Sequence, residues 1–370
     1  MIDFNNFGIK RRISTEHNYN AVWRDLKTVR FGEGIAKELE PDKSEFYDVS
    51  LGPFCSTGKC SFCYVAASQN GYHYKGINQT WKKWMSKYED KVGYDLKDDI
   101  LAEAIAGVLF KTMDPNKMQI HFAKSYIRRK EIMQRLKVTY TQKPFQIAIG
   151  SEGEPTEHPE FSSFLKTVYE TGVVPNFTTN GVILGMAGHC DKNEIYKDYS
   201  ESERHEMLAK AWEILDYTNK YVGGVAVSYS NPNLRNKAKS AIEALAEFGN
   251  TNINIHHIIS DKNSVDEFIK LQKDYGDEIK YHVLLPLMAS GRSKNSMDKE
   301  AFDYLEEEIE KNNIKNVAFG ANFSPYLNNS KIKTWNYPPE SFSKNVLLKE
   351  NKVVITPSSF NMKPIKIINL

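Results

Sequence analysis

The segment Phe46–Tyr64, with the sequence FYDVSLGPFCSTGKCSFCY, joins a predicted strand to a loop that holds three of the four cysteines in the chain. Residues Tyr47–Leu51 alternate and are rich in β-forming side chains, which predicts a strand that ends just before the loop. Cys55, Cys60 and Cys63 then fall within nine residues, with four residues between the first pair and two between the second. Cysteines spaced this closely favour a metal site over disulfides.

Strands and helices alternate on the C-terminal side of this loop. Apolar runs separated by turn signals predict five further strands, at Phe145–Ile149, Val174–Thr178, Val222–Ser228, Ile253–Ile259 and Tyr281–Pro286. Helical periodicity predicts helices at Asp98–Lys111, Phe161–Thr171, Glu203–Tyr217, Ala238–Phe248, Val265–Tyr275 and Lys299–Lys311. This alternation predicts parallel βα units with right-handed crossovers. The sequence therefore predicts an α/β fold, a partial (β/α)6 TIM-like barrel that binds ligands at the C-terminal ends of its parallel strands.

The chain divides into three predicted parts. Residues 1–45 are polar and form an N-terminal extension, residues 46–315 form the barrel, and residues 316–370 form a small C-terminal appendage. The appendage is rich in Pro, Asn and Ser, and its candidate strands are Val317–Phe319 and Val353–Ile355. We therefore expect one large core, with little helix in the appendage.

The overall composition is that of an ordinary globular protein. The 370 residues are 41% hydrophobic and 26% charged, and the formal net charge is +2. This near-neutral charge argues against a nucleic-acid partner without excluding one. No apolar stretch approaches the roughly 20 residues of a membrane helix, and the N-terminus lacks the features of a signal peptide. We therefore expect a cytoplasmic protein with no membrane partner. In the reducing cytoplasm, clustered cysteines bind metal rather than form disulfides.

The cysteine loop is compatible with two kinds of metal site. Three thiolates can hold three irons of a [4Fe–4S] cluster, which leaves the fourth iron open to a substrate or cofactor. A structural zinc ion instead needs a fourth protein ligand. No further cysteine or histidine pair with zinc-like spacing supplies one in the sequence. The pattern therefore favours an iron–sulfur cluster on Cys55, Cys60 and Cys63.

This loop resembles that of the radical S-adenosylmethionine (SAM) superfamily, in which an aromatic residue precedes the third cysteine, as Phe62 does here. The family more commonly has one residue fewer between the first two cysteines, so Ser56–Lys59 changes the path of the loop. Tyr47–Val49 and Asn70–Tyr74 also resemble uncharacterised radical SAM proteins of phages and low-GC bacteria. The resemblance spans roughly residues 46–292, because family-like motifs also end the later strands.

These later motifs match the family in their order along the chain. Gly153-Glu154-Pro155 resembles the family motif that receives the amino group of SAM, and a turn with carbonyls and a carboxylate suits an ammonium group. Taken alone, the motif is better explained as a plain glycine turn before a helix. Its position on the strand directly after the cysteine-bearing unit favours the family interpretation instead. The resemblance implies further SAM-binding positions at the ends of the third and fourth strands, namely Asn180, Ser228, Ser230 and Arg235. The alternative for Arg235 is that it is a surface residue with no role in binding SAM.

Two other features have competing interpretations. His256 and His257 lie in the fifth strand, where one should face inward and one outward, and we expect both to be structural. Cys190 is a candidate hydrogen-atom donor or substrate-linked thiol, although a lone cysteine is more commonly a small apolar filler. No cysteine follows Cys190, which excludes a second cluster of the kind found in C-terminal extensions of peptide-modifying relatives.

The resemblance implies an enzyme whose catalytic cysteines, Cys55, Cys60 and Cys63, hold a [4Fe–4S] cluster. The cluster would reductively cleave SAM, the second cofactor, to a 5′-deoxyadenosyl radical that abstracts hydrogen from a substrate. It also implies an electron donor such as flavodoxin or ferredoxin. The leading hypothesis for the substrate is a peptide or protein side chain. The alternatives are the same chemistry on a nucleotide, tRNA or small metabolite, and a non-catalytic, metal-stabilised binding module.

Overall fold

The computed structural model describes residues 46–65, 74–87, 146–250, 253–275, 279, 281–314, 317–327, 330, 343–357 and 363–370. The strands in these ranges are β1 (Phe46–Ser50), β2 (Gln146–Ile149), β3 (Val174–Thr179), β4 (Gly224–Ser228), β5 (Ile253–Ile259), β6 (Tyr281–Pro286), β7 (Val317–Phe319), β8 (Ser343–Lys349), β9 (Lys352–Thr356) and β10 (Lys366–Asn369). They form one sheet in the order β10-β9-β8-β1-β2-β3-β4-β5-β6-β7.

Strands β1 to β7 lie side by side in chain order and run parallel. Their register places Val49 opposite Ile149 and Phe177 opposite Val225. The sheet formed by the described strands does not close on itself. Strand β8 pairs with the edge of β1 that β2 leaves free, and β9 and β10 extend the sheet in antiparallel fashion. The predicted α/β class and partial barrel are therefore confirmed.

The described helices are α1 (Ile77–Met85), α2 (Phe161–Glu170), α3 (Lys192–Ile195), α4 (Glu201–Tyr221), α5 (Arg235–Glu247), α6 (Lys262–Tyr275), α7 (Lys299–Lys311) and α8 (Ser324–Leu327). Helix α4 begins earlier than predicted because Ser200 and Glu203 form a capping box. Helix α5 begins three residues before the predicted Ala238. The predicted helix Asp98–Lys111 lies outside the described residues.

Aromatic and aliphatic side chains fill the space between the sheet and its helices. Phe161 of α2 packs edge-on against Phe177 of β3, with ring centroids 5.1 Å apart. Trp81 of α1 packs in the same way on Phe164, at 5.8 Å. All four side chains are at most 2% exposed, and burying each stabilises the fold by about 1.5–3 kcal/mol. These contacts pack α1 on α2, and α2 on β3 of the sheet.

The C-terminal residues add strands at both edges of the sheet. The predicted strand Val317–Phe319 is β7, which pairs with β6, and Val353–Ile355 lies within β9. Strand β8 was not predicted, and it pairs in parallel with β1 so that Val346 lies opposite Val49. The structure therefore puts β8 directly beside the strand that leads into the cysteine loop, with β9 on the other side of β8. Among the helices described, none is both long and apolar enough to cross a membrane.

Candidate active site

The cysteine loop leaves the sheet at the C-terminal end of β1. Two backbone turns shape it: the amide of Gly58 donates to the carbonyl of Cys55 at 2.9 Å, and the amide of Cys63 donates to the carbonyl of Cys60 at 3.2 Å. The three cysteine side chains are partly buried. The turns therefore keep all three sulfurs on one short loop, between solvent and the sheet.

Two asparagines from neighbouring strands reach the cysteine sulfurs. The Nδ2 atom of Asn231, which follows β4, lies 3.1 Å from Sγ of Cys60. The Nδ2 atom of Asn180, which follows β3, lies 3.2 Å from the hydroxyl of Thr57 and 3.9 Å from Sγ of Cys55. The Thr57 hydroxyl in turn lies 3.2 Å from that sulfur. The sulfurs of Cys55 and Cys60 thus each have a polar side-chain group beside them.

Burial makes Cys55 and Cys60 weaker acids than an exposed cysteine. It raises the pKa of Cys55 to about 11, an effect that the Thr57 hydroxyl partly offsets. Burial also raises the pKa of Cys60, while the Asn231 hydrogen bond and the charge of Arg292 oppose the increase. Thiols that are protonated at neutral pH must lose protons when they bind a metal. Metal binding at this loop should therefore weaken as the pH falls.

The glycine turn after β2 packs directly on the cysteine loop. The amide of Glu154 donates to the carbonyl of Phe54 at 2.7 Å. Gly153 has a φ of 70°, and a Cβ atom at this position would collide with the carbonyl oxygens of Gly52 and Phe54. Only glycine combines this backbone conformation with so close an approach. Gly153 therefore fixes the distance between the two loops.

The Glu154 carboxylate holds the ends of β2 and β3 together. Its Oε1 atom accepts hydrogen bonds from the hydroxyls of Thr156 and Thr179 at 2.6 and 2.7 Å, and Oε2 accepts from the amide of Asn180 at 2.6 Å. The side chain is only 4% exposed. Desolvation raises its pKa to about 7, and Glu157 adds to this, although the hydrogen bonds oppose the increase. The neighbouring Pro155 is also buried and begins a short 3-10 turn.

The positions predicted after β4 make contacts with β5 and α6. The Ser230 hydroxyl accepts a hydrogen bond from the amide of Ile258 at 2.6 Å, and Ser228 ends β4 with a partly buried side chain. Arg235 forms an ion pair with Glu267 of α6, with its guanidinium carbon 5.9 Å from the centre of the Tyr229 ring. The structure therefore brings Asn180 to the cysteine loop, whereas it joins Arg235 to a carboxylate of the chain itself.

The two fifth-strand histidines face opposite sides of the sheet, as strand alternation predicts. His257 is buried and His256 is partly buried. Nε2 of His257 lies 3.5 Å from Nδ1 of His282, and the two rings stack beside Phe268 of α6. Burial lowers the pKa of both histidines, that of His282 to about 3. This pair is neutral at physiological pH and belongs to the packing between sheet and helices.

Cys190 lies apart from the cysteine loop, in the segment after β3. Its sulfur is 3.6 Å from the carbonyl of Gly185, and its side chain packs against the main hydrophobic core. This environment is that of a small apolar side chain.

The sequence did not identify Asn231, and it placed Gly291 and Arg292 in a motif after the sixth strand without predicting that they contact the cysteine loop. The amide of Arg292 donates to the carbonyl of Cys63 at 3.0 Å, and Gly291 lies so close that a Cβ would collide with the carbonyls of Cys63 and Tyr64. The available signals were Asn231-Pro232, which marks a turn directly after a predicted strand, and the glycine before Arg292. Segments after β2, β3, β4 and β6 thus all contact the cysteine loop.

Replacing Gly153 with alanine should destabilise the protein more than the same change at Gly249. Both glycines have a positive φ, but a Cβ at Gly249 meets nothing within 4 Å. Gly249→Ala should therefore cost about 1 kcal/mol from backbone strain alone. Gly153→Ala adds the collision with two carbonyls and should cost about 2–4 kcal/mol. Equilibrium urea unfolding measures both values, and equal costs would show that the loops are not in close contact.

Comparisons with known proteins give matches only among solved structures. No protein-family model matches this chain, and no curated protein matches it significantly. SuiB from Streptococcus suis bound to S-adenosylmethionine is 13% identical with a TM-score of 0.46, and the match covers 86% of this chain and 60% of that one. SuiB bound to the precursor peptide SuiA is 15% identical with a TM-score of 0.46, covering 87% and 61%. The chain thus spans about 60% of the length of the SuiB structures.

A second matched protein is TYW1. Its structure with a lysine–pyruvate adduct bound is 11% identical to this chain, with a TM-score of 0.38, and the match covers 75% of this chain and 77% of that one. The sheet of this chain is itself the evidence for its fold.

Strands β1 to β7 are parallel, the cysteine loop follows β1, and four later segments contact that loop. This is the partial α/β barrel that the resemblance to the radical SAM superfamily implies. The predicted fold is therefore confirmed.

Proposed function

We propose that this chain is a radical SAM enzyme in which Cys55, Cys60 and Cys63 hold a [4Fe–4S] cluster. The observation that carries the proposal is the position of the cysteine loop at the C-terminal end of β1, in contact with the segments after β2, β3, β4 and β6. In a parallel α/β barrel this edge is where ligands bind and where catalytic residues lie.

The cysteine loop offers three thiols, one for each of three irons of a cluster. A cube of four irons offers separate corners to its thiolates, so its three cysteines need not converge on one point. The amide group of Asn231 directed at Cys60 also fits, because metal-bound thiolates accept hydrogen bonds from the surrounding protein.

When bound, the cluster supplies the electron that cleaves SAM to methionine and a 5′-deoxyadenosyl radical. The chain binds and orients the cofactor and keeps water away. Gly153 sets the turn beside the cysteine loop, and Glu154 holds that turn to the end of β3. We propose that carbonyls of this turn and Glu154 receive the amino group of SAM.

The remaining proposed contacts to SAM come from side chains close to the same edge. We propose that Phe62, Pro155 and Asn180 line the cofactor site, together with the residues after β4, namely Ser228, Ser230 and Arg235. For Arg235 this requires the guanidinium to bind a cofactor carboxylate in addition to Glu267, which its fork of five donors permits.

For the substrate we propose a peptide or protein side chain. Strands β8 to β10 continue the sheet beyond β1, and Ile365 and Ile367 are each 56% exposed on this extension. We propose that these two side chains contact the peptide. We further propose a cytoplasmic location and a small electron-transfer protein, flavodoxin or ferredoxin, as the reductant.

The test of the proposed function is reductive cleavage of SAM. The full chain is reconstituted anaerobically with iron and sulfide, reduced with dithionite in the presence of SAM, and analysed by chromatography for 5′-deoxyadenosine. We expect 5′-deoxyadenosine only when cluster, reductant and SAM are all present. A reconstituted, reduced protein that forms none of it would contradict the proposal.

A further inference from the structure

We infer that Asn231 is a positioning residue that raises the reduction potential of the cluster by donating a hydrogen bond to Cys60, an inference that rests on the proposed function. The Nδ2 atom lies 3.1 Å from Sγ of Cys60. Asn231 follows β4, far in sequence from the cysteine loop, so the fold rather than the local sequence creates this contact.

The orientation of the Asn231 amide is fixed at its other end. Its Oδ1 atom accepts a hydrogen bond from the amide of Asn233 at 3.0 Å. This bond caps the short turn Pro232–Leu234, which the amide of Leu234 closes by donating to the carbonyl of Asn231 at 2.9 Å. Because an oxygen must face the Asn233 amide, the NH₂ group must face the sulfur. The capping turn therefore holds the donor at Cys60.

The corresponding contact at Cys55 is weaker. Asn180 lies 3.9 Å from that sulfur and is closer to the Thr57 hydroxyl, at 3.2 Å. The distance is near the outer limit for a hydrogen bond to sulfur, so its electrostatic effect is smaller. We therefore expect the shift in potential to be larger for a change at Asn231 than for a change at Asn180.

The direction of the effect follows from charge. Reduction adds an electron to a thiolate-bound cluster, so the sulfurs become better acceptors and a fixed N–H donor stabilises the reduced form more than the oxidised form. Removing the donor should lower the ratio of reduced to oxidised cluster at a fixed solution potential about tenfold. For a one-electron couple this corresponds to a shift of about 59 mV to more negative potential.

The experiment is a potentiometric titration of the reconstituted full chain, followed by the EPR signal of the reduced cluster. Asn231→Ala removes the donor. Asn231→Asp keeps the oxygen that caps the turn but replaces the donor with a negative charge, so its shift should exceed that of the alanine variant. Asn233→Ala is the matched control, because the exposed side chain of Asn233 is two residues away and the hydrogen bond uses its backbone.

The possible outcomes separate this inference from the proposed function. The inference is supported if every protein binds about four irons per chain, if the reduction potential of both Asn231 variants shifts to more negative values, and if that of Asn233→Ala does not change. A purely structural role would lower the iron content without moving the potential of the clusters that remain. Wild-type potential in fully loaded Asn231 variants would overturn the inference alone, whereas wild-type protein that binds no cluster would overturn both.

Discussion

Replacing Cys60 with serine is expected to remove the iron–sulfur cluster and all formation of 5′-deoxyadenosine. In the proposed cluster each of the three cysteines would supply the thiolate for one iron, and the sequence holds a single further cysteine, Cys190, which packs against the core after β3. A hydroxyl is a much weaker ligand for iron than a thiolate. Iron and sulfide analysis of the reconstituted variant should show only background metal, and SAM should remain intact after reduction.

The control for this prediction is Cys190→Ser. Its sulfur contacts the Gly185 carbonyl rather than the cysteine loop, so this variant should bind iron like the wild type and still cleave SAM. Thermal unfolding of both variants without metal distinguishes a lost ligand from a lost fold. Cys60→Ser protein that keeps a full iron complement, or still forms 5′-deoxyadenosine, would show that Cys60 is not a cluster ligand.

Replacing Glu154 with glutamine is expected to destabilise the protein and to change how its stability depends on pH. The carboxylate accepts hydrogen bonds from Thr156, Thr179 and Asn180 in a buried site. An amide places an NH₂ group against at least one of these donors, which should lower the free energy of unfolding by about 1–3 kcal/mol below pH 4.5, where the wild-type carboxyl group is protonated. Urea unfolding at several pH values measures the free-energy difference between the two proteins. The control is Glu152→Gln, which makes the same chemical change at a carboxylate that accepts a hydrogen bond from the Ser50 hydroxyl.

The sign of the pH dependence follows from the raised pKa of Glu154. Burial raises that pKa from an ordinary value of 4.5 to about 7 in the folded protein. The folded state therefore binds this proton more tightly, and the added stability is fully present below pH 4.5 and lost as the pH rises through 7. Relative to Glu154→Gln, the wild type should lose about 3 kcal/mol of stability over this window, so the destabilisation of the variant should be largest below pH 4.5 and should disappear as the pH rises past 7. If the difference in unfolding free energy between the two proteins does not vary between pH 4.5 and 7, the pKa of Glu154 is not raised in the folded protein.

The six strands leading to the site were predictable because each is a short apolar run bounded by turn residues. Strand β8 was missed because its core, Val346–Leu348, is short and flanked by lysines, and its partner β1 lies almost 300 residues earlier in the sequence. The start of α5 was missed because a local cap at Asn231, rather than the apolar periodicity, sets up the preceding turn. Long-range pairing and capping contacts leave little trace in hydrophobic periodicity.

The parts of the site that could be predicted are those in which the residue types themselves indicate a special role. Clustered cysteines and the glycine before Glu154 are of this kind, and the structure places both loops in contact. The sequence could not show that the Glu154 carboxylate binds the end of β3, or that Asn231 reaches Cys60. Both contacts depend on how neighbouring strands align across the sheet, with registers such as Thr179 opposite Val227.

The measurement that tests the central claim most directly is the EPR spectrum of the reduced, reconstituted protein with and without SAM. A cluster held by three cysteines has one iron open to the cofactor. We therefore expect the signal of a reduced [4Fe–4S] cluster, with g values that change when SAM is added and lines that broaden with ⁵⁷Fe. A protein that carries one zinc ion and gives no such signal, or a cluster signal that SAM leaves unchanged, would contradict the assignment of this site.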